Sequence, residues 1–143
     1  MAIAGPWTFT NGIRTSILKS DVVVLDGDSF NIALFTQASN VGPSINNYAA
    51  LTGEVANGNG YTTGGKAITL TGSGTTAVSV TSSAPTTWTA AGGSITAYYA
   101  VIYKAGGEVL CYCTLANPAA NVTVTDGNTL SVIMNSSGIF VLS

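Results

Sequence analysis

Residues 94–104, SITAYYAVIYK, alternate with the two-residue period of a β-strand and are largely apolar on both faces. One face is predicted to carry Ile95, Ala97, Tyr99, Val101 and Tyr103. The opposite face is predicted to carry Thr96, Tyr98, Ala100 and Ile102. A strand that is apolar on both faces has to be covered on both, so this stretch is predicted to be a central strand of the fold.

Further alternating segments surround this stretch and are separated by glycine-, asparagine- and aspartate-rich turns. Upstream, Val22–Leu25 and the segment from Phe30 flank a turn at Asp26–Gly27. The other predicted strand segments are 66–72, 75–82, 109–115, the two halves of 121–134, and Ile139–Leu142. Regularly spaced short strands of this kind predict an all-β fold, a β-sandwich of the jelly-roll type.

A single helix is predicted near the beginning of the chain, over NGIRTSILKSD (11–21), with Asn11 as its N-cap. Its apolar face would carry Ile13, Ile17 and Leu18. Residues 1–10 are predicted to form an extended N-terminal arm, and 11–143 a single β-sandwich domain. Trp7 and Phe9 leave two alternatives open: the arm docks on a partner, or it is the first strand of the domain's own core.

The largest irregular region is the glycine-rich loop 36–65, in which Tyr48, Leu51, Val55 and Tyr61 are candidate anchors. Tyr61 is predicted to point inward and pin the loop. Gly60, Gly65 and Lys66 match the spacing of a phosphate-binding loop, but Ala67 replaces the hydroxyl residue. KAITLTG (66–72) alternates as a strand, whereas a phosphate-binding loop leads into a helix. The glycines are therefore interpreted as conformational.

The composition restricts the classes of function. Charged residues make up 7% of the chain, against about 25% in an ordinary soluble domain. The four cations are scattered, which argues against nucleic-acid binding, and no apolar run is long enough to span a membrane. The sequence begins without the pattern of a signal peptide, so synthesis in a cytoplasm is expected. The low charge indicates a surface covered by partners; a Thr- and Ser-rich secreted β-domain is the alternative.

The residue types needed for catalysis or metal binding are poorly represented. The chain contains no histidine, and the spacing of its six acidic residues suggests no facing pair. Asp26 and Asp28 resemble the start of a calcium loop, but Phe30 occupies the third ligand position, which favours a plain turn. Cys111 and Cys113 are expected to be buried free thiols. We therefore predict no enzymatic activity, no cofactor and no metal.

Carbohydrate binding is a competing hypothesis, because sugars stack on exposed aromatic side chains. The candidate rings are Trp7, Tyr48, Tyr61, Trp88 and Tyr98. Trp88 stands just ahead of the predicted central strand, where a role in the core or in packing at an edge is the more usual one.

Four segments give the chain a resemblance to a known group of proteins. They are DSFNIALFT (28–36), TGEVANGNGYTTGGKAITL (52–70), WTAAGGSITAYYAVIY (88–103) and TVTDGNTLSVIMNSSGIFVLS (123–143). In this order they resemble small β-rich virion structural proteins of tailed bacteriophages. The resemblance covers nearly the whole chain, and its motifs are structural rather than catalytic.

The resemblance implies a non-enzymatic component of a virion, assembled in the bacterial host. A capsid cement or decoration protein is the expectation. Its partners would be the major capsid protein or other virion proteins, and other copies of the chain, with a trimer favoured. Tail, connector or fibre components and a receptor-binding module are the alternatives. The residues expected at the assembly interface are Ile3, Trp7, Phe9, Tyr48 and Glu54.

Overall fold

The computed structural model describes residues 6–19, 28–82, 84–133 and 140–142. Over these residues the fold is mostly β, with several antiparallel sheets and one short helix, as predicted. The predicted strand Val22–Leu25 and the turn Asp26–Gly27 lie outside the described residues.

The helix α1 spans Asn11–Lys19, and a 3₁₀ turn spans Tyr48–Ala50. The strands of the first half are β1 (Thr8–Phe9), β2 (Phe30–Phe35), β3 (Lys66–Ile68), β4 (Leu70–Ser73) and β5 (Val78–Ser82). Those of the second half are β6 (Thr86–Thr89), β7 (Ile95–Ala97), β8 (Tyr99–Lys104), β9 (Val109–Thr114), β10 (Val122–Val124), β11 (Thr129–Val132) and β12 (Phe140–Leu142).

The main sheet has five strands in the order β1-β9-β8-β2-β3, each antiparallel to its neighbour. Strand β8 pairs with β2 over its whole length and with β9 on its other side. This confirms that the stretch around Tyr99–Lys104 is central. A separate three-stranded sheet has the order β12-β5-β4.

The central stretch is divided at Tyr98, and the prediction that one face runs through it unbroken is wrong. Ile95 and Ala97 of β7 lie in the same core as Ala100 and Ile102 of β8. Tyr98 breaks the alternation: its carbonyl accepts from Leu115 and so extends the pairing of β8 with β9, whereas its N–H donates to Phe35 at the end of β2. The extra residue moves Tyr99, Val101 and Tyr103 to the opposite face from Ile95 and Ala97.

Residues 86–97 and 122–132 run antiparallel as one interrupted two-stranded ribbon, in which β6 pairs with β11 and β7 with β10. At the interruption, Ala90 exchanges backbone hydrogen bonds with Gly127 and Asn128, and Gly92 N–H donates to Asp126 Oδ1. Asp126–Gly127 is thus a turn, as predicted, but the strands on either side of it pair with the ribbon's other half and not with each other.

Apolar side chains cover both faces of the main sheet. The larger core joins one face to residues from the other strands, among them Leu70, Val80, Trp88, Leu130 and Val132. The smaller core lies on the other face and contains Ala33, Phe35, Val101, Tyr103 and Val109. Partly buried residues of the loop, Val41, Tyr48 and Leu51, pack against it. On that face of the main sheet, the smaller core is therefore covered by the loop.

The segment before α1 belongs to the body of the protein. Thr8 and Phe9 pair with Tyr112 and Cys111 of β9, and Trp7 and Phe9 pack against the larger core. Of the two alternatives for Trp7 and Phe9, the structure shows the second, a first strand that belongs to the domain's own core, while residues 1–5 lie outside the described residues. The predicted cap is also corrected: Thr10 Oγ1 accepts the N–H of Ile13 (3.4 Å), and Asn11 is already helical.

The two cysteines are free and buried on one face of β9, as predicted. Burial raises the pKa of Cys113 to about 12 and that of Cys111 well above its ordinary value. Both thiols therefore stay protonated in the folded protein.

We expect neither thiol to react with a water-soluble thiol reagent at mildly alkaline pH unless the chain is unfolded, and labelling with and without denaturant measures this. The unfolded thiols ionise near pH 8.5, so the free energy of unfolding should fall as the pH rises above about that value. Fast labelling of the native chain would contradict the burial of β9.

Candidate functional site

The glycine-rich loop is organised around the carboxylate of Glu54. Its Oε2 accepts a hydrogen bond from the Tyr48 hydroxyl at 2.5 Å. Its Oε1 accepts from the Tyr61 hydroxyl at 2.7 Å and from the Gly64 backbone N–H at 2.7 Å. Hydrogen bonds to a charged acceptor are stronger than neutral ones, so this carboxylate ties three separate points of the loop together. Glu54, Tyr48, Tyr61, Gly64 and Tyr103 are called the Glu54 centre below.

The backbone of Glu54 is itself held against the main sheet. Thr36 N–H donates to Gly53, Val55 N–H donates to Leu34, and Glu54 forms a β-bridge with Phe35. Strand β3 occupies the same edge of β2 opposite Phe30–Ile32. Residues 53–55 thus pair with β2 beyond the point where β3 ends. This pairing fixes the position of the Glu54 carboxylate.

Two tyrosine rings stack at the outer side of the centre. Tyr48 lies on Tyr103, with ring centroids 4.1 Å apart and planes 10° apart, and it meets Phe35 edge-on. The Tyr103 hydroxyl donates to the Gly64 carbonyl at 2.8 Å. Gly64 is therefore held at both backbone atoms, by Glu54 and by Tyr103.

Tyr61, predicted to be the inward anchor of the loop, is 2% exposed. Its hydroxyl donates to Glu54 and accepts the backbone N–H of Leu34 at 3.0 Å. Burial, and then the hydrogen bond to Glu54, raise the pKa of both Tyr61 and Tyr48. Both hydroxyls therefore remain protonated and continue to donate to the carboxylate.

Two glycines of the loop lie where no side chain fits. A Cβ on Gly60 would lie 2.0 Å from the carbonyl oxygen of Thr89, and one on Gly65 would lie 1.9 Å from that of Ile32. Asn59 and Gly60 both have positive φ between the mutually hydrogen-bonded Gly58 and Tyr61, as the central residues of a type I′ turn do. Asn59–Gly60 is a known signal for this turn that the sequence analysis did not use.

Asparagines of the loop also make contacts that the sequence analysis missed. Asn46 accepts the N–H of Gly12 with Oδ1 and that of Val109 with its carbonyl, so it joins α1 to β9. Asn47 Oδ1 caps the 3₁₀ turn, and Asn40 bonds to the backbone of Ala50 and Thr52. Asparagine is common in any turn, so its residue type alone does not indicate these distant partners.

Four of the five residues predicted at an assembly interface are described, and they lie on both faces of the main sheet. Tyr48 and Glu54 belong to the Glu54 centre, next to the smaller core. Trp7 and Phe9 pack against the larger core, on the other face of the main sheet. Ile3 lies outside the described residues.

The Glu54 centre has the properties of a structural site. Its carboxylate faces three donors.

Among the described residues no group of three His, Cys, Asp or Glu side chains could hold a metal ion. Asp28, one of the two aspartates considered for calcium, pairs with Lys104 at 3.1 Å. Lys66 begins a strand, as predicted, and its Nζ donates to the Thr87 carbonyl.

No helix within the described ranges is long and apolar enough to cross a membrane. Comparisons with protein-family models, with curated proteins and with solved structures found no match to the chain.

Tyr61→Phe should lower the free energy of unfolding by about 1–3 kcal/mol, because it leaves the buried N–H of Leu34 without its acceptor and removes a donor to Glu54. Tyr98→Phe is the matched control, since the Tyr98 hydroxyl has no hydrogen-bond partner among the described residues. Its effect should stay within about 0.5 kcal/mol. Equal effects of the two variants in denaturant titrations would contradict the anchoring role of Tyr61.

Gly65→Ala should destabilise the protein by about 2 kcal/mol or more, because the methyl group would collide with the Ile32 carbonyl at a positive φ. Gly42→Ala is the control, since its Cβ would lie 3.8 Å from the nearest atom, the carbonyl oxygen of Asn40. Thermal melts of both variants test this, and an unchanged melting temperature for Gly65→Ala would show that the loop does not rest on β2.

Proposed function

We propose that this chain is a structural protein of a tailed-phage virion, a cement or decoration protein that binds the outer shell and stabilises contacts between capsomers. The observation that carries the proposal is the role of the motif TGEVANGNGYTTGGKAITL. Its Glu54, Tyr61, Gly64 and Gly65 hold a loop onto a sheet. The most specific part of the resemblance to virion proteins is thus used for architecture rather than for chemistry.

The arrangement proposed for the strands is a sandwich of the jelly-roll type. In its support, the larger core combines Ile32, Ala100 and Cys111 of the main sheet with residues of β4, β5, β6 and β11. Side chains from two sets of antiparallel strands thus share one apolar layer, as they do in sandwiches.

The proposed partners are the major capsid protein and other copies of the chain, with a trimer as the favoured assembly. The chain has only four cations and six acidic residues among 143 residues, so a partner that covers its surface would remove few charged groups from water. Among the interface candidates, Phe9 belongs to β1, the two-residue edge strand of the main sheet, and Trp7 precedes this strand; both side chains are partly buried. A partner that packs against this edge would extend the apolar contacts that Trp7 and Phe9 make with the larger core.

Copy number separates the cement proposal from a tail, connector or fibre role. Quantitative mass spectrometry of purified particles should find this chain at a copy number comparable with that of the major shell protein. A cement protein covers the whole lattice, whereas portal and tail components are present in a few copies.

The ratio of portal protein to shell protein in the same digest is the internal control. A handful of copies per particle would replace the cement proposal with a tail or connector role. Absence of the chain from purified particles would overturn the virion proposal altogether.

A further inference from the structure

The six tyrosines of the chain fall into two groups. The hydroxyls of Tyr48, Tyr61 and Tyr103 are all used inside the protein, in the Glu54 centre. Tyr98, Tyr99 and Tyr112 are partly exposed, and their hydroxyls have no hydrogen-bond partner within the described ranges. Tyr99 and Tyr112 pack against the smaller core, whereas Tyr98 belongs to neither core.

These three tyrosines are neighbours on one side of the main sheet. The rings of Tyr98 and Tyr99 meet edge-on, with centroids 4.6 Å apart. Tyr99 and Tyr112 lie on the adjacent strands β8 and β9, opposite Thr114 and Val101 respectively, which places them diagonally across the pair. The break at Tyr98 leaves its ring at the end of this row.

Two carboxamides flank Tyr98. Its backbone N–H donates to Phe35, two residues before Gln37, and Asn121 immediately precedes Val122, which pairs with Ala97. Asn121 Nδ2 donates to Gln37 Oε1 at 3.4 Å, and both side chains are exposed. The Gln37 amide nitrogen and Asn121 Oδ1 have no hydrogen-bond partner among the described residues, so a donor and an acceptor are open to a ligand. Continuing the register that pairs Val122 with Ala97 places Asn121 opposite Tyr98.

We propose that Tyr98, Gln37 and Asn121 form a binding site for a neutral saccharide. The apolar face of a sugar ring would stack on Tyr98, and adjacent sugar hydroxyls, which both donate and accept, would bond to the two carboxamides. Tyr99 and Tyr112 would extend the platform to a second sugar unit. The side chains of Gln37 and Asn121 are uncharged amides, which favours a neutral ligand over a charged one.

The structure also reduces the set of rings considered for sugar binding. Trp88 is 1% exposed and Tyr61 is 2% exposed, so neither can meet a ligand. One face of Tyr48 is covered by Tyr103, and Trp7 packs against the larger core. Tyr98 is the candidate that combines partial exposure with free polar groups beside it.

The test is a titration of the isotope-labelled full chain with short oligomers of glucose, mannose and galactose, followed by NMR. For at least one oligomer, millimolar concentrations should shift the signals of Gln37, Tyr98 and Asn121. Tyr98→Ala should weaken that binding about tenfold or more, as expected when a stacking contact is lost. Tyr98→Phe keeps the ring and should bind nearly as the parent does. The chemical-shift spectrum of Tyr98→Ala without saccharide shows whether that variant is folded.

Ile133→Ala is the matched control, because Ile133 is 51% exposed and follows β11. No shift with any oligomer, or shifts that Tyr98→Ala leaves unchanged, would overturn the proposal. Loss of particle binding by Tyr98→Ala without any saccharide binding would also overturn it and would make this surface a protein contact. The copy number in particles does not depend on this result, so the two proposals can fail separately.

Discussion

The hydrogen bonds accepted by the Glu54 carboxylate are the constraint on which the outer layer of this protein depends. A charged group that leaves water has to be compensated, and here two tyrosine hydroxyls and one backbone N–H do so. The donors are Tyr48, which precedes Glu54 in the loop, and Tyr61 and Gly64, which follow it, so the carboxylate holds the two halves of the loop together. The stacking of Tyr48 on Tyr103 and the close approach of Gly65 to β2 both follow from that arrangement.

This closure explains how a main sheet with two apolar faces is covered by a chain of this length. One face is buried by other strands, whereas the opposite face receives a loop whose polar backbone is satisfied by asparagines and by the sheet edge. Backbone groups that are covered when a loop packs on a sheet must find partners, which helices and sheets would otherwise provide. The tyrosines suit this position because each ring is apolar while its hydroxyl still bonds.

The sequence allowed the central strand, the short helix and the strand that begins at Lys66 to be predicted, because each has a local periodic pattern. It did not reveal the break at Tyr98, since a strand that is apolar on both faces looks the same before and after a shift of one residue. Thr10 was missed as a cap because Asn11, beside it, is an equally good capping residue. The role of Glu54 depends on where distant loop atoms meet, which no local pattern records.

The edges of the main sheet have a consequence for solubility. Strand β1 has two residues and β3 has three, one of them Lys66, so little unpaired backbone is offered on either side. A long flat edge would recruit a strand from another molecule and propagate into fibrils, and short or charged edges oppose this. A weakly charged chain lacks the electrostatic repulsion that protects most proteins from such aggregation. Here the geometry of the edges supplies that protection instead.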